Sequence, residues 1–463
     1  MSKIGVVITD GVGFRNFILS DFVIEAKKEF AEIVIFSCLP KEVYEEFNFQ
    51  CQIIELDVFE EKFPTWFFRK TKEVAHLQLH KNGNFGIEDN LKANKSKALN
   101  PRGLATRFIF GVTQFLHSER WIQRYNAFQQ KTFANHSITK TYERLLVDNQ
   151  IDLLFFTHQR PPYVAPLIFA AEKLKLKTAA FIFSWDNLAS KNRMAGNFDK
   201  FLVWSDLMKK ELLHFYKNVK SDDIEVVGTP QFEPYVLDRY KTTKQDWANA
   251  NKVDVNKKTI FFTCNDAHSK NDPIYLELIA NFILEDKLSE KVNYIVRTSP
   301  AEEPTRFLKL AEKYPFIIWN FPDWNQVRSN HQESWSQRVP SVNDVIQLRG
   351  FLEFSDISVN VLSTISLDAS LFHKPVINPV FGNVENGMFD DQKYLNYLHL
   401  DNVVKTNAVT VAKNETELLQ AVNLCLSNPT HKYKEQQNLI QLQIGKPLLG
   451  TSANIVKVLK KWC

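Results

Sequence analysis

Residues able to do proton or phosphate chemistry fall directly after short apolar runs. The first such stretch is Thr9-Asp10-Gly11-Val12-Gly13-Phe14-Arg15-Asn16. Its glycines let a backbone approach a ligand, and a helix opening there favours an anion. An ordinary strand-to-helix turn accounts for the same residues. Phe-Arg-Asn follows the second glycine, so the order is not GxGxxG and a nicotinamide fingerprint is not supported. His158-Gln159-Arg160 precedes Pro161-Pro162. There a histidine can act as base and an arginine can hold an anion, against a plain loop whose prolines start a helix. Ser184-Trp185-Asp186-Asn187-Leu188-Ala189-Ser190-Lys191 offers Asp186 as a general base and Trp185 as a stacking platform. Its Asp-Asn pair also suits a turn cap.

Two further stretches lie in the C-terminal half. Arg297-Thr298-Ser299-Pro300 ends an apolar run, and an arginine fork there can hold phosphate oxygens. Ser355–Asp368 runs from a short strand through Ser363 and Thr364 into a helix pattern. Either hydroxyl can cap that helix, whose free N–H groups suit a diphosphate. Asp368 lies one turn beyond Thr364 and can accept from ribose hydroxyls. A plain N-cap with a first-turn acid explains the same pattern.

These stretches need strand ends to carry them. Ile4–Thr9, Ile33–Ser37, Cys51–Leu56, Ile151–Thr157, Thr178–Phe183, Phe201–Trp204 and Ile224–Val227 read as strands. Helix-period segments separate most of them, Phe14–Phe30 among them. The alternation restarts at Thr259–Thr263 and continues through Tyr294–Arg297, Phe316–Trp319, Ile357–Asn360 and Val376–Ile377. Strands alternating with helices predict α/β domains with parallel sheets, which bind ligands beyond the strands' carboxyl ends. The expected domains are 1–235, with a basic helical insertion at about 62–144, a polar linker at 236–257, and 258–463 with a helical tail.

The series SWDNLASK, VWSDLMKKEL, VVGTPQFEPY, VRTSP and SDISVNVLSTISLDASLFHKPVI resembles bacterial GT-B-type glycosyltransferases of surface polysaccharide assembly, from about Ile151 to Pro379. The resemblance implies two doubly wound Rossmann-like domains facing a cleft. It implies a metal-independent, cytoplasmic enzyme that moves a sugar from a nucleotide-sugar to a hydroxyl of a glycan or lipid-linked acceptor. Donor contacts then fall to Ser363, Thr364, Asp368 and Arg297, with Gly11 and Gly13 beside them. Arg15, Asn16, Trp185, Asn187 and Lys191 fall on the acceptor side, and the base is sought among Asp186, His158 and Asp10. Related polyol-phosphate transferases carry a histidine-proline where this chain has Thr298-Ser299-Pro300, which argues against a glycerophosphate donor. A nucleotide-sugar epimerase of similar fold and a non-catalytic nucleotide- or glycan-binding protein are the rival readings.

Composition narrows the field. The chain has 463 residues, 44% of them hydrophobic and 24% charged, which excludes a wholly disordered or fibrous protein. The formal net charge is +4, yet Lys62–Arg144 holds 15 Lys/Arg against 5 Asp/Glu. That block balances to +10 and leaves −6 elsewhere. Its cations interleave with aromatics, as in Phe63-Pro64-Thr65-Trp66-Phe67-Phe68-Arg69-Lys70. The pattern suits an anionic membrane surface or a solvated helical subdomain, and no nucleic-acid motif accompanies it. The five cysteines are scattered, with no CxxC, so neither a disulfide framework nor a zinc site is expected. No apolar run is long enough to span a bilayer, and the N-terminus does not read as a signal peptide. The expected location is cytoplasmic, with peripheral attachment to the inner face of the membrane as an option.

Overall fold

Strands such as β1 (Lys3–Ile8, KIGVVI) are apolar on both sides, which a sheet accepts only when helices cover both faces. A computed structural model describes residues 2–266 and 269–463 and shows that arrangement twice. The first sheet contains β1, β2 (Glu32–Ser37), β3 (Gln52–Glu55), β4 (Leu153–Phe156), β5 (Lys177–Phe181), β6 (Lys200–Val203) and β7 (Ile224–Val226). All pair in parallel in the order β3-β2-β1-β4-β5-β6-β7. β1 pairs with β4 from Ile4↔Leu153 to Val7↔Phe156. The strand order reverses at that pair, so the loops after β1 and β4 flank the crevice where such sheets bind ligands.

The second sheet contains β8 (Lys258–Thr263), β9 (Val292–Arg297) and β10 (Ile318–Asn320). After a two-stranded sheet of β11 (Trp324–Gln326) and β12 (Arg338–Pro340), it gains β13 (Ile357–Asn360), β14 (Val376–Pro379) and β15 (Thr410–Ala412). Its order is β10-β9-β8-β13-β14-β15, again parallel, with the reversal between β8 and β13. The fold class is therefore the expected one, two Rossmann-like α/β domains.

Packing divides the chain into one unit of Met1–Glu233, Gln326–Val339 and Gln443–Cys463, and another of Pro234–Asn325 and Pro340–Leu442. Two stretches of the C-terminal half thus pack with the first sheet. The polar stretch 236–257 contains a helix, Lys244–Asn251, which buries Trp247 and Ala248 in the second unit. A left-handed Lys252 closes it.

Phe14–Phe30 is two helices rather than one, α1 (Gly11–Phe17) and α2 (Phe22–Glu29). Ser20 and Asp21 supply the break, since short polar side chains compete for backbone bonds. Ser20 Oγ accepts from the Phe22 N–H at 3.3 Å. Phe17 then packs edge-on against Phe22, Phe155 and Phe181 in the core.

Between β3 and β4 the basic segment forms α3 (Phe63–His80), α4 (Phe85–Ala93), α5 (Pro101–Thr113), α6 (Glu119–Phe133) and α7 (Ser137–Asp148). Ala75 of α3 packs with Ile122 and Tyr125 of α6 in a small core of its own. Lys72 of α3 is buried, donating to Asn126 Oδ1 at 2.9 Å and to the Ala195 carbonyl at 2.8 Å. Burial pulls its ammonium down to about 7. No helix among the described residues is long and apolar enough to cross a membrane.

Candidate functional site

The crevice between β1 and β4 joins residues 148 positions apart. Asp10 follows β1 in extended conformation and caps α1, its Oδ1 accepting from the Gly13 N–H at 2.7 Å. Its Oδ2 accepts from Thr9 Oγ1 at 2.8 Å and from His158 Nδ1 at 2.8 Å. Asp10 has no exposed surface and His158 is 3% exposed. Burial alone would raise the Asp10 carboxyl, but hydrogen bonds and the charge of His158 outweigh it and hold the group below its ordinary range. An ionised carboxylate only accepts, so His158 Nδ1 carries the proton and Nε2 presents a lone pair. Burial lowers the His158 imidazole more than Asp10 raises it, so the ring is neutral at neutral pH. His158 Nε2 is buried and has no hydrogen-bond partner among the described residues.

Neighbouring bonds hold this ring in place. Phe183 stacks on it with centroids 3.8 Å apart and planes 12° from parallel. Gln159 Oε1 accepts from the Phe183 N–H at 3.1 Å, and its amide donates to Asn187 Oδ1 at 3.0 Å. Thr157 Oγ1 donates to the Val7 carbonyl at 2.8 Å, and Tyr163 OH to the Thr9 carbonyl at 2.8 Å. The two strand-end loops are thereby tied into one surface.

His158 and Phe183 of that surface line a cavity of about 810 Å³ within the first unit, together with Arg160, Glu60, Glu61, insertion residues, His331 and Glu333. Two of its arginines are already neutralised. Arg69 binds Glu61 through Nε and Nη2 at 2.7 and 2.8 Å, and Glu73 at 2.8 Å. Arg193 binds Glu119. Among the described residues Arg160 makes no ion pair, and its buried Nε has no hydrogen-bond partner. Arg102 lies over the Trp66 ring at 5.3 Å. Burial raises the Glu333 carboxyl, against the opposing charges of Arg160 and Arg69. The cavity therefore sets a neutral imidazole on a wall that carries four arginines and four glutamates, Glu60, Glu61, Glu73 and Glu333.

Other residues singled out in the sequence stand elsewhere. Asp186 pairs with Lys191 at 3.2 Å and accepts from the Asn187 amide at 3.1 Å, and none of the three lines the cavity. Trp185 is buried in the core, as is Asn187. Arg15 and Asn16 are buried on α1, and the Asn16 amide finds no hydrogen-bond partner among the described residues. A Cβ on Gly11 would lie 1.6 Å from the Arg338 carbonyl oxygen, and one on Gly13 2.9 Å from Thr157 Oγ1. Both glycines thus face protein at close range. Glu333 and His331 were not among the residues picked from the sequence. They sit in a polar stretch without periodicity, and no strand end marks them.

In the second unit, Arg297 is 5% exposed and its fork is engaged. Nη2 donates to both Asp344 oxygens at 2.8 Å, and Nη1 donates to Asn320. Asp344 also accepts from the Asp323 N–H and Trp324 Nε1, each at 2.9 Å. After β13, Asn360 Oδ1 accepts from the Ser363 N–H and Ser366 Oγ at 3.0 Å and from the Asn378 amide at 3.1 Å. Leu362 takes a left-handed turn at φ 43°. Ser363 and Thr364 remain half-exposed before the helix Ile365–Leu371. Asp368, in its first turn, is buried and accepts from Tyr235 OH. Across the reversal point, Asn265 Nδ2 donates to the Val361 carbonyl at 2.7 Å.

Two parallel-sheet domains with this strand order define a GT-B-type fold. The chain is similar in structure to the UDP-GlcNAc 2-epimerase of Methanocaldococcus jannaschii, at TM-score 0.55 and 13% identity over 100% of both chains. It is similar to the S. aureus MnaA–UDP co-structure at TM-score 0.54 and 13% identity, covering 100% of this chain and 97% of the other. A glycosyltransferase from Rickettsia africae matches at TM-score 0.51 and 13% identity, covering 99% and 98%. At this identity the likeness is one of fold. No protein-family model matches the sequence, and no curated protein does.

Proposed function

We propose that this chain is a nucleotide-sugar enzyme, a glycosyltransferase in which His158 is the general base and Asp10 orients it. The observation that carries the reading is the His158 imidazole, held by Asp10 and Phe183 on the wall of a large cavity, with a buried Nε2 that no described residue engages. His158 Nε2 takes the proton of an acceptor hydroxyl as its oxygen bonds to the anomeric carbon. The bond from that carbon to the nucleotide diphosphate breaks, and the electron pair leaves on the diphosphate. Asp10 stabilises the imidazolium that forms. A single in-line displacement of this kind inverts the anomeric configuration. Donor contacts are assigned to the second unit, at Ser363 and Thr364, with Asp368 positioned through Tyr235.

Epimerisation is the second reading, favoured by the full-length fold likeness to UDP-GlcNAc 2-epimerases. The test is incubation with a panel of nucleotide sugars in deuterated water, with and without candidate acceptor glycans, followed by NMR. Transfer requires the acceptor and leaves the sugar's ring hydrogens in place. Epimerisation proceeds without acceptor and exchanges a ring hydrogen with solvent. A binding protein would hold the nucleotide sugar and leave it intact. His158→Ala is expected to lower transfer by about 10²–10⁴-fold with donor affinity unchanged. Unaltered turnover in that variant overturns the assignment of the base.

A further inference from the structure

The helix α5 carries a face that the cavity chemistry does not use. Its inner side, Gly103, Thr106, Ile109 and Thr113, is buried. Its outer side follows the same helical period and is apolar. Leu104 is 53% exposed and Phe108 64%, Phe115 just past the helix end is 79% exposed, and Leu99 just before its start is 83% exposed. Phe67 stacks on Phe108 at 6.4 Å and extends the patch onto α3. Single exposed apolar residues are ordinary, but Leu104, Phe108 and Phe115 at helical spacing, with Phe67 stacked on Phe108, mark an interaction surface.

Charge identifies the partner. From Leu91 to Ser118 there is no Asp or Glu, while Lys92, Lys95, Lys97, Arg102 and Arg107 are all present. Lys92 is paired with Glu88 at 2.7 Å, and Lys95 and Lys97 stand exposed without an ion pair among the described residues. An apolar helix face rimmed by cations is the pattern of a helix lying in the headgroup region of an anionic bilayer. A second copy of this chain is a poor occupant, because two-fold docking sets the same cations against each other. We infer that α5 and its flanks dock this protein onto an anionic lipid surface, with Leu99, Leu104, Phe108 and Phe115 inserted and Lys95 and Lys97 on the headgroups. Arg102, at the start of the same helix, lines the cavity, so docking brings the cavity's rim to the lipid. The inference stands apart from the reaction assigned to His158.

The test is co-sedimentation of the full chain with vesicles of phosphatidylcholine alone and with vesicles containing phosphatidylglycerol. Sedimentation is expected with the anionic vesicles only, weakening as salt rises. A cation near such a surface is worth roughly fivefold in partitioning, so Lys95→Glu with Lys97→Glu should lower it by at least about 25-fold. Phe108→Ser with Phe115→Ser should lower it at unchanged charge. Both pairs are exposed, so thermal midpoints should match the parent, which separates lost docking from lost folding. Lys434→Glu with Lys457→Glu makes the same charge change on exposed residues of other elements and should bind as the parent does. An equal loss in that control, indifference to either α5 pair, or no sedimentation at all overturns the inference. So does a dimer that only the Phe pair dissociates.

Discussion

Asp10 decides which nitrogen of His158 carries the proton. As a carboxylate it only accepts, which fixes the proton on Nδ1 and leaves Nε2 basic. Asp10→Asn keeps an oxygen to cap α1 but offers an amide donor to Nδ1, favouring the wrong tautomer. We expect kcat to fall by about 10²–10⁴-fold with donor KM little changed. The thermal midpoint should stay closer to the parent's than that of Asp10→Ala, which also loses the cap, at about 0.5–2 kcal/mol. A stability loss equal to that of Asp10→Ala, with catalysis intact, would reduce Asp10 to a helix cap. Each member of the pair was legible in the sequence as a polar residue after an apolar run. Their union was not, because spacing along the chain does not say that β4 lies beside β1. Asp186 looked equally suited to be a base by type and position. What separates them is that Asp186 meets Lys191 while His158 opens on a cavity.

At the level of elements, the strand-end loops work because backbone pieces approach closely. Gly11 opens α1 against the carbonyl of Arg338, a neighbour 327 positions later in the sequence, in a segment that packs with the first sheet. Gly11→Ala sets a Cβ 1.6 Å from that oxygen, so backbone must shift on one side or the other. We expect a loss of about 1–3 kcal/mol in denaturant unfolding, together with reduced turnover, since Asp10 sits at the displaced helix start. Full stability in this variant would mean that the segment yields freely. The alternation of strands and helices was readable from hydrophobic runs because parallel strands are buried on both faces. The return of 326–339 to the first unit was not, since it is polar and held by particular bonds. Gln332 reaches the Phe59 carbonyl and Arg328 reaches Glu55. The break between α1 and α2 was open to view in Ser20-Asp21, but the apolar period on either side masked it.

Across the molecule, burial shifts bases and acids in opposite directions. It lowers His76, His80, His158, His331 and His373 and raises Glu211, Glu233, Asp272, Glu333 and Asp391. A buried neutral histidine takes up its proton more readily once unfolded, so the histidines withdraw stability as pH falls below about 6.5. A raised carboxyl does the reverse. Its contribution is complete below the unfolded value and is lost as pH rises through the folded one. Glu211 shows the second case clearly, since burial, then the charge of Asp186, pushes it up to about 8. Glu211→Gln removes that contribution while leaving the histidines in place. The variant's thermal midpoint should therefore match or trail the parent's near pH 4.5 and gain on it steadily up to about pH 8. Each pH unit in that window widens the gap by at most about 1.4 kcal/mol, a few degrees in a domain of this size. Above pH 8 the gap should stay constant. A gap independent of pH would show that Glu211 titrates alike in the folded and unfolded chain, and that its carboxyl is reached by water.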